Sequence, residues 1–160
     1  MNYVAGIDPG KEGHLVVVDP CTDRLVMGCT LPYRRASGKS WIINYQELLP
    51  LIATLRNVTH VTIEDVHNGG GNAGDLIKLA KAHGSLVAIA AVAGCTVYTP
   101  LANKWKADMG LVGKPKTASI DLAISLGANA IYIKNNHNIA EAYLLGVYGK
   151  DKYDTGHFGS

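Results

Sequence analysis

The apolar positions of this chain change rhythm along its length, and each change predicts an element. "NYVAGID" is short, apolar and partly β-branched, and Pro9-Gly10 stops it, which predicts a strand. "HLVVVD" predicts a second, and the turn "DPCTD" leads into a third, "RLVMGCTL". Two short turns between three strands predict an antiparallel meander. "SWIINYQELLPLIATLR" then places Trp41, Ile42, Tyr45, Leu48, Leu49 and Ile52 near helical spacing, with Pro50 as a kink or start signal. "HVTIEDV" is a fourth strand and "CTVYTP" a fifth. Between them, "DLIKLAKAHGSLVAIAAVAG" predicts a helix apolar on more than one side, hence deeply packed or at an interface. "PKTASIDLAISLG" predicts a helix with Pro115 near its first turn and Gly127 after its end. "NHNIAEAYLLGVYG" predicts a last helix with Ile139, Ala142, Tyr143 and Gly146 on one stripe. Antiparallel strands followed by alternating helices and strands form a mixed five-stranded sheet with helices on both faces.

Length and composition narrow the class. A chain of 160 residues, 48% apolar and 18% charged, fits one domain with a real core, expected over residues 1–150 with 151–160 as a loose tail. The three cysteines form no CxxC pair, no leader layout precedes Asp8, and "SLVAIAAVAG" is too short to span a bilayer. A cytoplasmic protein with no membrane partner is therefore expected.

The chemistry gathers where the strands end. Asp8 closes the first strand and Glu64 the fourth. If those strands are neighbours, their carboxylates repel each other unless a divalent cation lies between them. Oxygen ligands without a His or Cys cage favour Mg²⁺ or Mn²⁺. The last helix can complete the set, because Asn138 and Glu141 share one face, one turn apart, next to His137.

A formal net charge of +2 hides two basic segments. Arg34, Arg35 and Lys39 stand in "YRRASGK"; Lys104, Lys106, Lys114 and Lys116 stand in "NKWKADMGLVGKPK". Lys114 and Lys116 precede a predicted helix whose N-terminus favours anions, so both are candidate phosphate contacts, with Lys116 a candidate at a reacting phosphate. Trp105 is expected to be a packing anchor. The glycines after Glu64 predict a connecting loop.

"GIDPGKEG", "IEDVH" with its glycine-containing loop, "TPLANKWKADMGLVGKPKTAS" and "HNIAEAYLLGVYG", in that order over nearly the whole chain, resemble the RuvC family of Holliday-junction resolvases, most closely its bacteriophage-encoded branch. The resemblance implies an RNase H-like fold and a homodimer that nicks four-way DNA junctions with two Mg²⁺ per active site, in the cytoplasm of the host cell if phage-encoded. Carried over by motif, the acidic ligands are Asp8, Glu64 and Glu141. The fourth ligand position falls on residue 138, usually Asp, where this chain has Asn138; weaker metal binding and slow or absent cleavage follow from that departure. The resemblance also implies that the loop after Glu64 enters the junction, with His67 where a wedge aromatic often stands. Arg34, Arg35 and Lys39 would touch a second arm, and His137 would contact water or phosphate. Two other functions stay open. One is a branched-DNA-binding protein without catalysis. The other is an actin-like ATPase, because "GIDPGKEG" also resembles the first phosphate loop of that superfamily.

Overall fold

The computed structural model describes residues 2–36, 40–66 and 72–154, with the backbone alone at Asp154. Five strands form the main sheet: β1 (Tyr3–Asp8), β2 (His14–Val18), β3 (Leu25–Thr30), β6 (Val58–Ile63) and β7 (Thr96–Tyr98). Their order is β3-β2-β1-β6-β7. β1–β2 and β2–β3 pair antiparallel, as the tight turns require, while β1–β6 and β6–β7 pair parallel across helical crossovers. This is the mixed sheet that the strand and helix rhythm predicts.

The region from Trp41 to Arg56 departs from expectation. Instead of one helix it forms strand β5 (Trp41–Ile43), a 3₁₀ turn at Tyr45–Glu47 and the short helix α1 (Leu49–Thr54). The β-branched run Ile42-Ile43 pairs with β4 (Tyr33–Arg35) as a two-stranded sheet, and Pro50 begins α1 rather than kinking a longer helix. Two short helices, α3 (Ala102–Asp108) and α5 (Ala130–Ile133), were also not anticipated. They join α2 (Ala73–Val92), α4 (Thr117–Ser125) and α6 (His137–Asp154), which lie where the apolar periodicity puts them. α6 continues beyond residue 150 into the segment expected to be loose.

The two faces of the sheet carry separate cores, and strand alternation assigns every residue to one of them. Ala5 and Ile7 of β1, with Val61 and Ile63 of β6, face α1 and α2. Val4 of β1 and Val16 and Val18 of β2 face α6, together with Trp105 and Ala123. Asp8 shares the Val4 side of β1. Glu64, one step past Ile63, shares the side of Thr62, whose side chain meets α6 at Gly149. Period two thus sends both carboxylates toward α6.

α6 is buried on nearly all sides from Ala142 to Tyr148, which is why its sequence is apolar beyond a single stripe. It crosses β1 at a glycine pair. A Cβ at Gly6 would collide with the backbone of Ala142 and Gly146, and one at Gly146 would come within 3.2 Å of the Gly6 nitrogen. That close approach brings Glu141 down to the end of β1. No helix among the described residues is long and apolar enough to cross a membrane.

Candidate active site

Asp8 and Glu64 leave adjacent parallel strands at the same end. Ile7 and Ile63 are paired in register, and the Glu64 amide donates to the Ile7 carbonyl at 3.2 Å. The condition placed on them from sequence, that their strands be neighbours, is met. The Gly10 amide donates to Asp8 Oδ1 at 2.9 Å, so the "DPG" turn holds the carboxylate from below. Trp105 Nε1 donates to Glu64 Oε2 at 2.9 Å. A hydrogen bond to an ionised group contributes roughly 1.5–3 kcal/mol, more than the ~0.5–1.5 kcal/mol of an off-rotamer torsion. The indole therefore sets the rotamer of Glu64. Trp105 is wholly buried, the packing anchor expected, and it is also the orienting donor.

Glu141 arrives from the first turns of α6. Asn136 caps this helix: its Oδ1 accepts from the amides of Asn138 at 3.0 Å and Ile139 at 3.3 Å. The cap fixes the phase of the helix, so that His137, Asn138 and Glu141 line one cavity with Asp8. Its volume is about 330 Å³, and Lys106, Lys114, Lys116 and Ser119 complete its wall.

Lys106 is the cation that sequence reasoning left without a role. Named there only as one of a basic segment, it turns inward and donates to Glu141 Oε2 at 2.9 Å, while the Ser119 hydroxyl donates to Oε1 at 3.3 Å. Burial alone would push the Lys106 ammonium down. The hydrogen bond and charge of Glu141, then the charges of Glu64 and Asp8, outweigh burial and hold it above its ordinary value. Only the docking of Trp105 decides which lysine of α3 faces the acids, because the neighbouring Lys104 stays exposed on the same short helix. His14 was missed as well. It is buried directly opposite Asp8 in the antiparallel register, and its charge lowers the proton affinity of Asp8.

The carboxyls of Asp8 and Glu64 are both pushed up. For Asp8 the causes are burial, opposed by the Gly10 hydrogen bond, and then the charge of Glu141. For Glu64 burial leads, Lys106 and Trp105 oppose it, and Asp8 and Glu141 add to it. Glu64 thus feels both other carboxylates, and Asp8 feels Glu141. As the side chains stand, no three His, Cys, Asp or Glu among the described residues are grouped to hold a metal ion. The donor chemistry nonetheless fits a hard divalent cation: carboxylate oxygens close enough that Glu141 raises the proton affinity of Asp8 and Glu64, with an amide at Asn138 on the same cavity wall as Asp8 and Glu141.

Other candidate residues lie farther out. Lys114 and Lys116 are exposed at the cavity rim, so Lys116 does not touch the acids, and Lys106 does. Arg34 and Arg35 are exposed on β4, outside this cavity. His67 and Lys39 lie outside the described residues. Asp65, adjacent to Glu64, points to the other face, where its Oδ1 is 3.7 Å from His83 Nε2 of α2.

No protein-family model matches the sequence, and no curated protein does. Solved structures do match the fold. RuvC of Thermus thermophilus, in complex with a Holliday junction substrate, is 21% identical with a TM-score of 0.68, covering 98% of this chain and 97% of that one. A second Thermus thermophilus RuvC structure is 22% identical with a TM-score of 0.65, covering 96% of each chain. With its antiparallel three-strand meander, two parallel strands and carboxylate-bearing strand ends, the chain has the RuvC-type, RNase H-like fold.

Proposed function

We propose that this chain is a structure-specific endonuclease of the RuvC type, of the bacteriophage-encoded branch, that cuts four-way and other branched DNA by metal-dependent phosphodiester hydrolysis. One observation carries the reading. The Asp8 and Glu141 carboxylates, from a strand end and a covering helix, share a cavity walled by Lys106, Lys114 and Lys116, and Glu64 ends the strand next to that of Asp8. The fold likeness, near full length, to a RuvC bound to a Holliday junction supports it.

In this reading Asp8, Glu64, Glu141 and the Asn138 amide oxygen would hold two Mg²⁺, with Mn²⁺ able to substitute. Such ions, when bound, activate water and neutralise the leaving oxygen of an in-line displacement. The chain's own groups do the rest. Gly10 and Trp105 keep the Asp8 and Glu64 carboxylates in fixed orientation. Lys106 balances Glu141 and is close enough to the acids to meet a phosphate between them. Lys114 and Lys116 bind flanking phosphates at the start of α4, and His137 contacts phosphate or water at the cavity wall. Arg34, Arg35 and Lys39 serve a second DNA arm, and His67 acts near the branch point.

The deciding experiment incubates the protein with labelled four-way junction and Mg²⁺, beside linear duplex of the same sequence. Paired nicks in the junction and none in the duplex are expected. Junction binding without cleavage in either metal supports the second reading, a branched-DNA-binding protein, which Asn138 favours. ATP binding with no affinity for branched DNA returns the chain to the actin-like alternative.

The rim lysines carry a separate expectation. Junction affinity falls steeply with salt, and Lys114→Ala or Lys116→Ala each reduce the log–log salt slope by about 0.9. An unchanged slope in both variants assigns these lysines to the solvated surface.

A homodimer through α2 is also proposed. The sequence suggests a helix apolar on more than one side, and in the structure it is apolar inward and lined outward by small and apolar residues. Ala82, Leu86 and Ala90 pack inward, and Ile89 is half-buried against the same core. The outward face carries Ile77, Ala80, Gly84 and Ala88, all exposed, with open space around Gly84. A twofold contact on this face would let two helices approach closely. Gly84→Glu, which sets two carboxylates against each other across that axis, is expected to give a folded monomer in sedimentation at micromolar concentration. A wild-type protein that sediments as a monomer overturns the assignment.

A further inference from the structure

A groove of about 620 Å³ is distinct from the carboxylate cavity. It lies between the β4–β5 hairpin, the loop after β1 and the first turns of α2, and its walls include Lys11, Tyr33, Trp41, Asp75 and Lys78. The carboxylate cavity is next to it, and Gly10 lines both. The hydroxyl of Tyr33 donates to the Pro9 carbonyl, which ties the hairpin to the turn that holds Asp8.

Trp41 in this groove is not a core residue. Among the described residues it packs into neither apolar core, and it remains half-buried. Cations attend it instead: Lys11 Nζ is 5.2 Å and Arg35 Cζ 5.9 Å from the centroid of its ring. A large flat ring with cations around it is the composition of a platform for nucleobases, which stack on the ring while a cation takes a flanking phosphate. The groove also contains a carboxylate, Asp75, held at 2.8 Å by Lys78. A carboxylate repels a phosphate but accepts from an exocyclic amino group, so the polar end of the groove suits a base edge. The volume suits a nucleotide, within the roughly 300–1,000 Å³ usual for small-ligand sites.

We propose that the Trp41 groove receives an unpaired nucleobase of the DNA strand whose phosphate enters the carboxylate cavity. The base stacks on the indole, Lys11 turns to a flanking phosphate, and Asp75 accepts from the base edge. The proposal rests on the nuclease reading above and adds a base-binding subsite to it.

The test uses tryptophan fluorescence, with a four-way DNA junction titrated in Ca²⁺ so that no cutting intervenes. The chain has two tryptophans, and the other, Trp105, is wholly buried. The difference between wild type and Trp41→Phe therefore isolates Trp41. Binding is expected to quench the Trp41 emission. Trp41→Phe keeps most of the junction affinity because a ring remains, whereas Trp41→Ala, checked for folding by circular dichroism, loses about 5- to 100-fold. Junction binding with no Trp41 quenching overturns the base subsite and leaves the nuclease reading intact. So does wild-type affinity in a folded Trp41→Ala protein. If no version binds the junction, the nuclease reading fails and the subsite falls with it.

Discussion

Asp8→Asn and Glu64→Gln proteins are expected to bind a four-way junction and fail to cut it, whereas wild-type cleavage, at whatever rate Asn138 permits, is expected to require Mg²⁺ or Mn²⁺ and to stop in chelator. The two side chains end adjacent parallel strands, and each is held by one fixed donor, Gly10 or Trp105. Neither is part of the exposed basic rim, so phosphate attraction survives their loss. Cleavage at equal rate in chelator refutes the assignment.

The same substitutions carry a stability signature that needs no catalysis. The proton affinity of Asp8 is raised in the folded chain by burial and by Glu141, against the Gly10 hydrogen bond. A carboxyl that binds its proton more tightly folded than unfolded loses stability as pH rises past its unfolded value, and the deficit is complete above its folded value. Above that folded value the metal-free protein therefore bears the full cost of ionised Asp8. Asp8→Asn is expected to raise the melting temperature in chelator. Added Mg²⁺ is expected to raise it in wild type and much less in the variant. Equal metal stabilisation of both proteins counts against Asp8 as a ligand.

Asn138→Asp is expected to increase cleavage and tighten Mg²⁺ binding, on the order of 10- to 100-fold, the scale on which even outer-shell metal partners act. Residues 138 and 141 line the same cavity as Asp8, and residue 138 sits in the first turn of α6. The fold tolerates the added charge. A carboxylate at a helix N-terminus gains about 0.3–1 kcal/mol, which offsets the few tenths of a kcal/mol of like-charge repulsion from Glu141 one turn away. Junction affinity measured in excess Ca²⁺ should hardly change, because the rim lysines are untouched. If rate and metal dependence both match wild type, residue 138 is not a ligand and the amide is a bystander at the cavity wall.

What the chain by itself determined is mostly periodic. Alternation in "NYVAGID" and "HVTIEDV" sets which residues face which layer, and it sends Asp8 and Glu64 one way and Asp65 the other before any packing is known. The glycine and proline punctuation places the main strands and α4, while α6 runs past the end that it suggests. Local pattern could not settle the stretch from Trp41 to Arg56. Its apolar spacing suits a helix, and only the pairing of Trp41–Ile43 with Tyr33–Arg35 makes it a strand. Nor could it choose among the lysines of "NKWKADMG". All are equal in sequence, and the burial of Trp105 against the sheet turns Lys106, not Lys104, toward Glu141. The groove around Trp41 likewise joins residues from four separate segments, which no spacing rule connects. Periodicity reports which side of its own element a residue occupies; which residues of distant elements meet is decided by how those elements pack, and the functional site is made of such meetings.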